Sequence, residues 1–130
     1  MMNKIVSPYF EDGVFAGARV TYRGEDFVIA SKNYRRGKRM RMPWREAMDA
    51  LNADNLTTWD YTQISITMDF RMEISKVLED NGGDSLNRRY WTNSEYMTNG
   101  AFAYDSNSVI LDVFDKSRKW NVRAVKNLKD

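Results

Sequence analysis

Residues 90–125 read YWTNSEYMTNGAFAYDSNSVILDVFDKSRKWNVRAV, and three β-branched or aromatic runs stand out in them: Ala101–Asp105, Val109–Phe114 and Trp120–Val125. They are separated by Ser106-Asn107 and by the polar Asp115–Lys119 stretch, so the pattern predicts an antiparallel meander. Alternation sorts the side chains. Phe102, Tyr104, Val109, Leu111 and Val113 are expected on an inner apolar face, with Ala103, Asp105, Asp112 and Phe114 on an outer one.

Working back from this region, Asn81-Gly82-Gly83 supplies a left-handed exit from a helix whose apolar face is Phe70, Ile74, Val77 and Leu78. Thr67 is the expected N-cap, with Asp69 near the positive end of the dipole. A shorter helix is predicted over about residues 43–52, where Pro43 suits the first turn and Trp44, Ala47, Met48 and Leu51 recur on one face. Residues 14–31 form two strand-like runs around Arg23-Gly24-Glu25-Asp26, a β-hairpin. The segment 56–67 reads as irregular. The fold class is therefore α+β, two helices packed on antiparallel sheet, with an N-terminal hairpin and a C-terminal meander.

The chain has 130 residues, 42% of them hydrophobic and 13% aromatic, enough for one core, and no linker or repeat divides it. We expect residues 1–130 to be a single domain. Cysteine and histidine are both absent, which excludes disulfides, thiol nucleophiles, His-based triads and the usual zinc sites. An enzyme is not expected. With 20 basic and 18 acidic side chains the net charge is only +2, so overall charge names no partner. A mean hydropathy of −0.66 without a long apolar run predicts no membrane span. The start, Met1-Met2-Asn3-Lys4-Ile5, lacks the apolar stretch of a leader, which leads to the expectation of a cytoplasmic protein or one carried in a phage-like particle.

Beyond pattern, Tyr90-Trp91-Thr92-Asn93-Ser94-Glu95-Tyr96, then Asn99-Gly100-Ala101-Phe102, then Lys116, and finally Trp120-Asn121-Val122-Arg123-Ala124-Val125 resemble the carboxy-terminal signature of a bacterial family of C-type lectin-like domains. Its members read YWSSTEY, an NNAW-like step, an Asn-rich stretch with a lysine, and a closing YYVRPV. The spacing is similar too, with 22 residues from Ala101 to Arg123. Ala124 replaces the proline of VRPV, and the Trp-x-Leu-Pro-Thr step before the second helix is reduced to Trp59–Thr67. The resemblance implies a C-type lectin-like fold with the terminal strands brought together and one displayed face. In relatives such as the variable proteins of diversity-generating retroelements, that face binds a target. The matching positions here are Tyr96, Asn99, Ala103, Asp105, Asp112, Phe114, Asp115, Ser117 and Arg118.

These readings lead to a non-enzymatic module that binds a protein or glycan without calcium, using Tyr96, Asn99, Asp105, Asp112, Phe114, Asp115 and Arg118; an oligomer is compatible with it. No cofactor and no metal are expected, because the Glu-Pro-Asn, Gln-Pro-Asp and Trp-Asn-Asp signatures of calcium-binding lectins are missing. Trp91 and Trp120 are expected in the core, and Glu95 is expected to satisfy backbone amides or the Arg123 guanidinium. Phe114 and Arg118, exposed, would have the composition of an interface hot spot. The alternative is a nucleic-acid-associated protein using Lys32, Tyr34, Arg35, Arg36, Lys38, Arg39 and Arg41, where basic side chains interleave with Tyr34 and Trp44. The plainer reading of that segment is a solvated connector.

Overall fold

Val14–Tyr22 and Glu25–Ala30 pair as the predicted hairpin, their turn carried by Arg23 and Gly24 at positive φ. The structure, a computed structural model, describes residues 4–128, so the part of the leader reading that rests on residues 1–3 falls outside it. In chain order the elements are β1 (Val6–Glu11), β2 (Val14–Tyr22), β3 (Glu25–Ala30), β4 (Arg41–Met42), α1 (Trp44–Ala53), α2 (Tyr61–Asp69), α3 (Arg71–Asp80), β5 (Arg89–Tyr96), β6 (Gly100–Asp105), β7 (Ile110–Asp115), β8 (Trp120–Asn121) and β9 (Val125–Asn127). One sheet runs β1-β2-β3-β9 and the other β4-β8-β5-β6-β7. The chain is α+β, and its described residues form three helices and two sheets that are antiparallel except where β8 meets β5.

The third strand of the expected meander is not one strand. Its first half, β8, pairs with β4 and β5, and its second half, β9, crosses to β3 in the other sheet. The crossing is held by Arg123, which is fully buried. Its guanidinium donates to the carbonyls of Ala30 (2.7 Å), Ser31 (3.1 Å) and Asp84 (2.6 Å), and to Asn33 Oδ1 (2.8 Å). Burial lowers its pKa from the ordinary arginine value, against the charge and hydrogen-bond influence of Tyr90 and Asp84. Glu95 plays no part, which corrects the expected pairing.

Thr67 is not a cap. The segment expected to be irregular is helical from Tyr61, because Asp60 and Gln63 form a reciprocal capping box: the Gln63 N–H donates to Asp60 Oδ1 at 2.8 Å, and the Asp60 N–H to Gln63 Oε1 at 3.0 Å. Thr67 lies buried in that helix, accepting from Trp59 Nε1 and donating to the Gln63 carbonyl. Phe70, at φ −115° and ψ 25°, ends α2 and begins α3. The α3 exit is the predicted one. Gly82 has φ +78°, and a Cβ on Gly83 would stand 2.8 Å from the Ser31 carbonyl oxygen.

Two apolar cores lie on opposite sides of the five-stranded sheet. Tyr90 and Tyr104 join Trp59, Ile64, Ile74 and Leu78 on the side of α2 and α3, while Trp91, Ala101 and Ala103 join Trp44, Leu51 and Val122 under α1. The Trp91 indole donates to the Met42 carbonyl, and Trp44 to that of Thr92, each at 2.8 Å. Trp91 is buried as expected, whereas Trp120 is only half-buried. The alternation of β6 and β7 is correct in parity, but the face expected to be outer is the one α1 packs on. Ala103 is therefore buried, Phe114 half-buried, and Leu111 and Val113 on the other face only half-buried.

Two substitutions test this packing by urea denaturation. Trp91→Ala should cost about 3–5 kcal/mol, as truncation of a buried aromatic does. Arg123→Met, which strands several buried carbonyls, should cost about 3–5 kcal/mol. Near-unchanged midpoints would contradict both assignments.

Candidate functional site

Residues directly opposite in an antiparallel pair share a face, so the register of β6 and β7 sorts the candidate residues. Ala101 faces Phe114, Ala103 faces Asp112, and Asp105 faces Ile110; on the reverse side Gly100 faces both Tyr96 and Asp115. The candidates thus divide. Asp105, Asp112 and Phe114 occupy the α1 side, Tyr96 and Asp115 the reverse side, and Asn99 and Arg118 the two adjacent turns. Those turns meet at one end of the sheet, where the Lys116 N–H donates to the Asn99 carbonyl at 2.8 Å. A shallow depression of about 470 Å³ there is lined by Tyr96, Asn99, Val113, Phe114 and Asp115.

On the α1 side the chemistry concentrates around Arg89. Its guanidinium lies 4.8 Å from the Phe114 ring and 4.5 Å from the Trp120 ring, and those rings meet edge-on at 5.6 Å. Asp105 fixes it from the side at 2.9 Å. Its carboxyl also accepts the N–H groups of Asn107 and Ser108, and the Arg89 hydrogen bond, followed by these amides, holds its pKa below the usual carboxylate value. Phe114 is therefore a layer in an aromatic and arginine stack, not a freely exposed anchor. Beside it Lys116 donates to Glu95 at 2.5 Å and lies 4.6 Å from the Trp44 ring, with Arg45 4.8 Å from that ring. The Lys116 bond also draws the Glu95 carboxyl below its ordinary value.

Asp112 and Arg118 are exposed. Asp115 accepts the Ser117 N–H at 2.9 Å and its hydroxyl at 2.7 Å, a local turn bond. On the reverse side Tyr96, 49% exposed, meets Phe102 at 5.9 Å, and Phe102 meets Tyr61 at 5.3 Å, all edge-on. Arg89, Trp120, Phe102 and Tyr61 were not among the sequence candidates. Arg89 alone had an available signal, as the residue two before Trp91 and so on the same face of its strand.

The basic segment is arranged against base stacking. Tyr34 is 8% exposed, donates its hydroxyl to Asp54 at 2.5 Å, and has its pKa raised by burial first and that bond second. Trp44 is buried beneath Arg45 and Lys116. Arg36 donates to the Ala50 carbonyl, Arg39 pairs with Glu46, Arg35 reaches the Met40 sulfur, and Lys32 reaches the Gly82 carbonyl. Lys38 and Arg41 are exposed. Charge is available there, but the interleaved aromatic faces expected from sequence are not. Among the described residues no three carboxylates gather as metal ligands would.

No family model matches the chain, and no curated protein matches its sequence.

The Arg89–Asp105 bridge has a pH signature. Because the folded pKa of Asp105 is depressed, the bridge contributes stability above the unfolded carboxylate value, and that contribution is lost as pH falls through the folded value. Asp105→Asn should therefore lower the melting temperature at neutral pH and flatten its decline below about pH 4. Parallel curves for the variant and the parent would show that the bridge does not stabilise the fold.

Proposed function

We propose that the chain is a calcium-independent recognition module of C-type lectin-like fold, binding a protein or glycan target through the α1 side of β5–β7 and the turns at its end. The observation that carries this reading is the Arg89–Phe114–Trp120 stack, half-exposed and fixed by Asp105, with exposed Asp112 and Arg118 nearby. Aromatic and arginine side chains held in place lose little entropy on binding, and they are the residue types in which interface energy concentrates. Supporting the lectin-like part are the order of hairpin, helices and sheet, and a terminal strand that returns to the hairpin. Asn99 lies in one of those end turns, and Tyr96 and Asp115 lie on the reverse side of the sheet, meeting Phe114 only at the depression at its end.

The experiment is binding to a glycan array and to an immobilised panel of surface proteins, with parent chain and Arg118→Ala, Asp112→Ala and Tyr96→Ala variants, each with calcium and with chelator. We expect saturable binding that chelator leaves unchanged and that the Arg118 and Asp112 substitutions weaken about tenfold or more, the Tyr96 substitution less. The melting temperature should be the same with calcium and with chelator. Oligonucleotide binding that collapses between about 50 and 200 mM salt, and that needs Lys38 and Arg41, would replace this reading with the nucleic-acid one.

A further inference from the structure

Among the described residues β7 is an edge strand, with β6 on one side and no strand on the other. The other edges of the two sheets are short or blunted. β4 has two residues; β9 has three, and its Val125 N–H is taken by the Thr57 carbonyl. β1 carries Pro8 and a bulge between Tyr9 and Phe10. By contrast, β7 runs six residues, ILDVFD, in unbroken register with β6 and without proline.

The direction of its main-chain groups follows from one bond. Lys116 donates its N–H to Asn99 in continuation of the β6–β7 register. In an antiparallel ladder bonded and non-bonded pairs alternate, so Ile110, Asp112 and Phe114 spend their main-chain groups on β6, while Leu111, Val113 and Asp115 aim theirs outward. At the centre of that outward row the Val113 N–H donates to the Asp112 carboxylate at 2.8 Å. The side chain folds back onto the amide that an added strand would need.

We infer that β7 seats a second copy of this chain, added antiparallel across a two-fold axis through Val113, and that the Asp112 carboxylate is a plug which must leave the Val113 amide first. This register pairs Val113 with its counterpart and Leu111 with Asp115, so every outward residue of one strand meets an outward residue of the other. Asp112 then stands opposite Phe114, and no two acids face each other. An axis through Asp112 instead opposes like charges and aligns Asp115 with Val109, whose φ of +55° breaks the extended chain. Apolar surface also waits at the seam. Ile110 is 50% exposed, and Leu111 and Val113 are half-buried beside the Phe102 aromatic row. A six-residue strand pair is small for a stable interface, so the dimer is a weak, concentration-dependent one.

Sedimentation velocity of the full chain between about 1 and 500 µM tests this. Asp112→Ala, which frees the amide, should strengthen dimerisation at least tenfold relative to the parent. Val113→Pro removes an outward N–H and no β6 bond, and should be monomeric throughout. Val113→Lys sets like charges across the axis and should also be monomeric, which covers the case where proline disturbs folding. Circular dichroism confirms that each variant is folded. The inference is overturned if parent and Asp112→Ala are both monomeric at the highest concentration, or if folded Val113→Lys dimerises as well as the parent.

Discussion

The buried guanidinium of Arg123 gathers the end of β3, the loop after α3 and the crossing between β8 and β9 around one planar group. Arginine suits this place because its fork offers several donors in fixed directions and remains charged when buried; lysine offers a point charge without that geometry. Its principal acceptors are main-chain carbonyls, so the clip depends on the path of the backbone more than on neighbouring side chains. Thr58 extends it by donating its hydroxyl to the Arg123 carbonyl at 2.6 Å. With the terminal segment fixed there, β8 completes one sheet and β9 the other.

From that junction follows the position of the candidate surface. Tyr90 and Trp91 are neighbours on β5, and their side chains enter different cores, so one sheet forms the wall of both. The helix α1 covers the β5 and β6 part of its side and leaves the Phe114, Trp120 and Arg89 stack at the margin, partly wet. An aromatic stack at such a margin is supported from below by packed residues and open from above. That combination keeps apolar surface presentable to a partner without leaving a large free patch.

Local signals were legible where they acted alone. The hairpin followed from two β-branched runs and a glycine turn, α1 from Trp44, Ala47 and Leu51 at helical spacing, and the α3 exit from Gly82-Gly83. The helix α2 was hidden because its buried residues, Gln63, Ile64, Ile66 and Thr67, mix polar and apolar types and give little periodicity; the capping box at Asp60 and Gln63 was its readable mark. Strand parity in β6 and β7 was readable, but what covers each face was not. Phe114 and Ala103 were misjudged because α1 packs onto the sheet from fifty or more residues away in sequence. The break between β8 and β9 was equally non-local, since Trp120–Val125 is uniformly strand-like and only Arg123's long-range partners divide it.

The Arg123 clip also bears on how the chain is made. Its bond to Ala30 spans 93 residues of sequence, and its bond to Asp84 spans 39. During synthesis the β2–β3 hairpin can close soon after residue 30 emerges, but the Arg123 clip cannot form until residue 123 has left the ribosome. Until then β3 lacks its neighbour β9, and that edge of the first sheet stays open. Non-local closure of this kind slows folding and lengthens the time apolar surface stays open. Production of this chain should therefore respond to translation speed and chaperone supply.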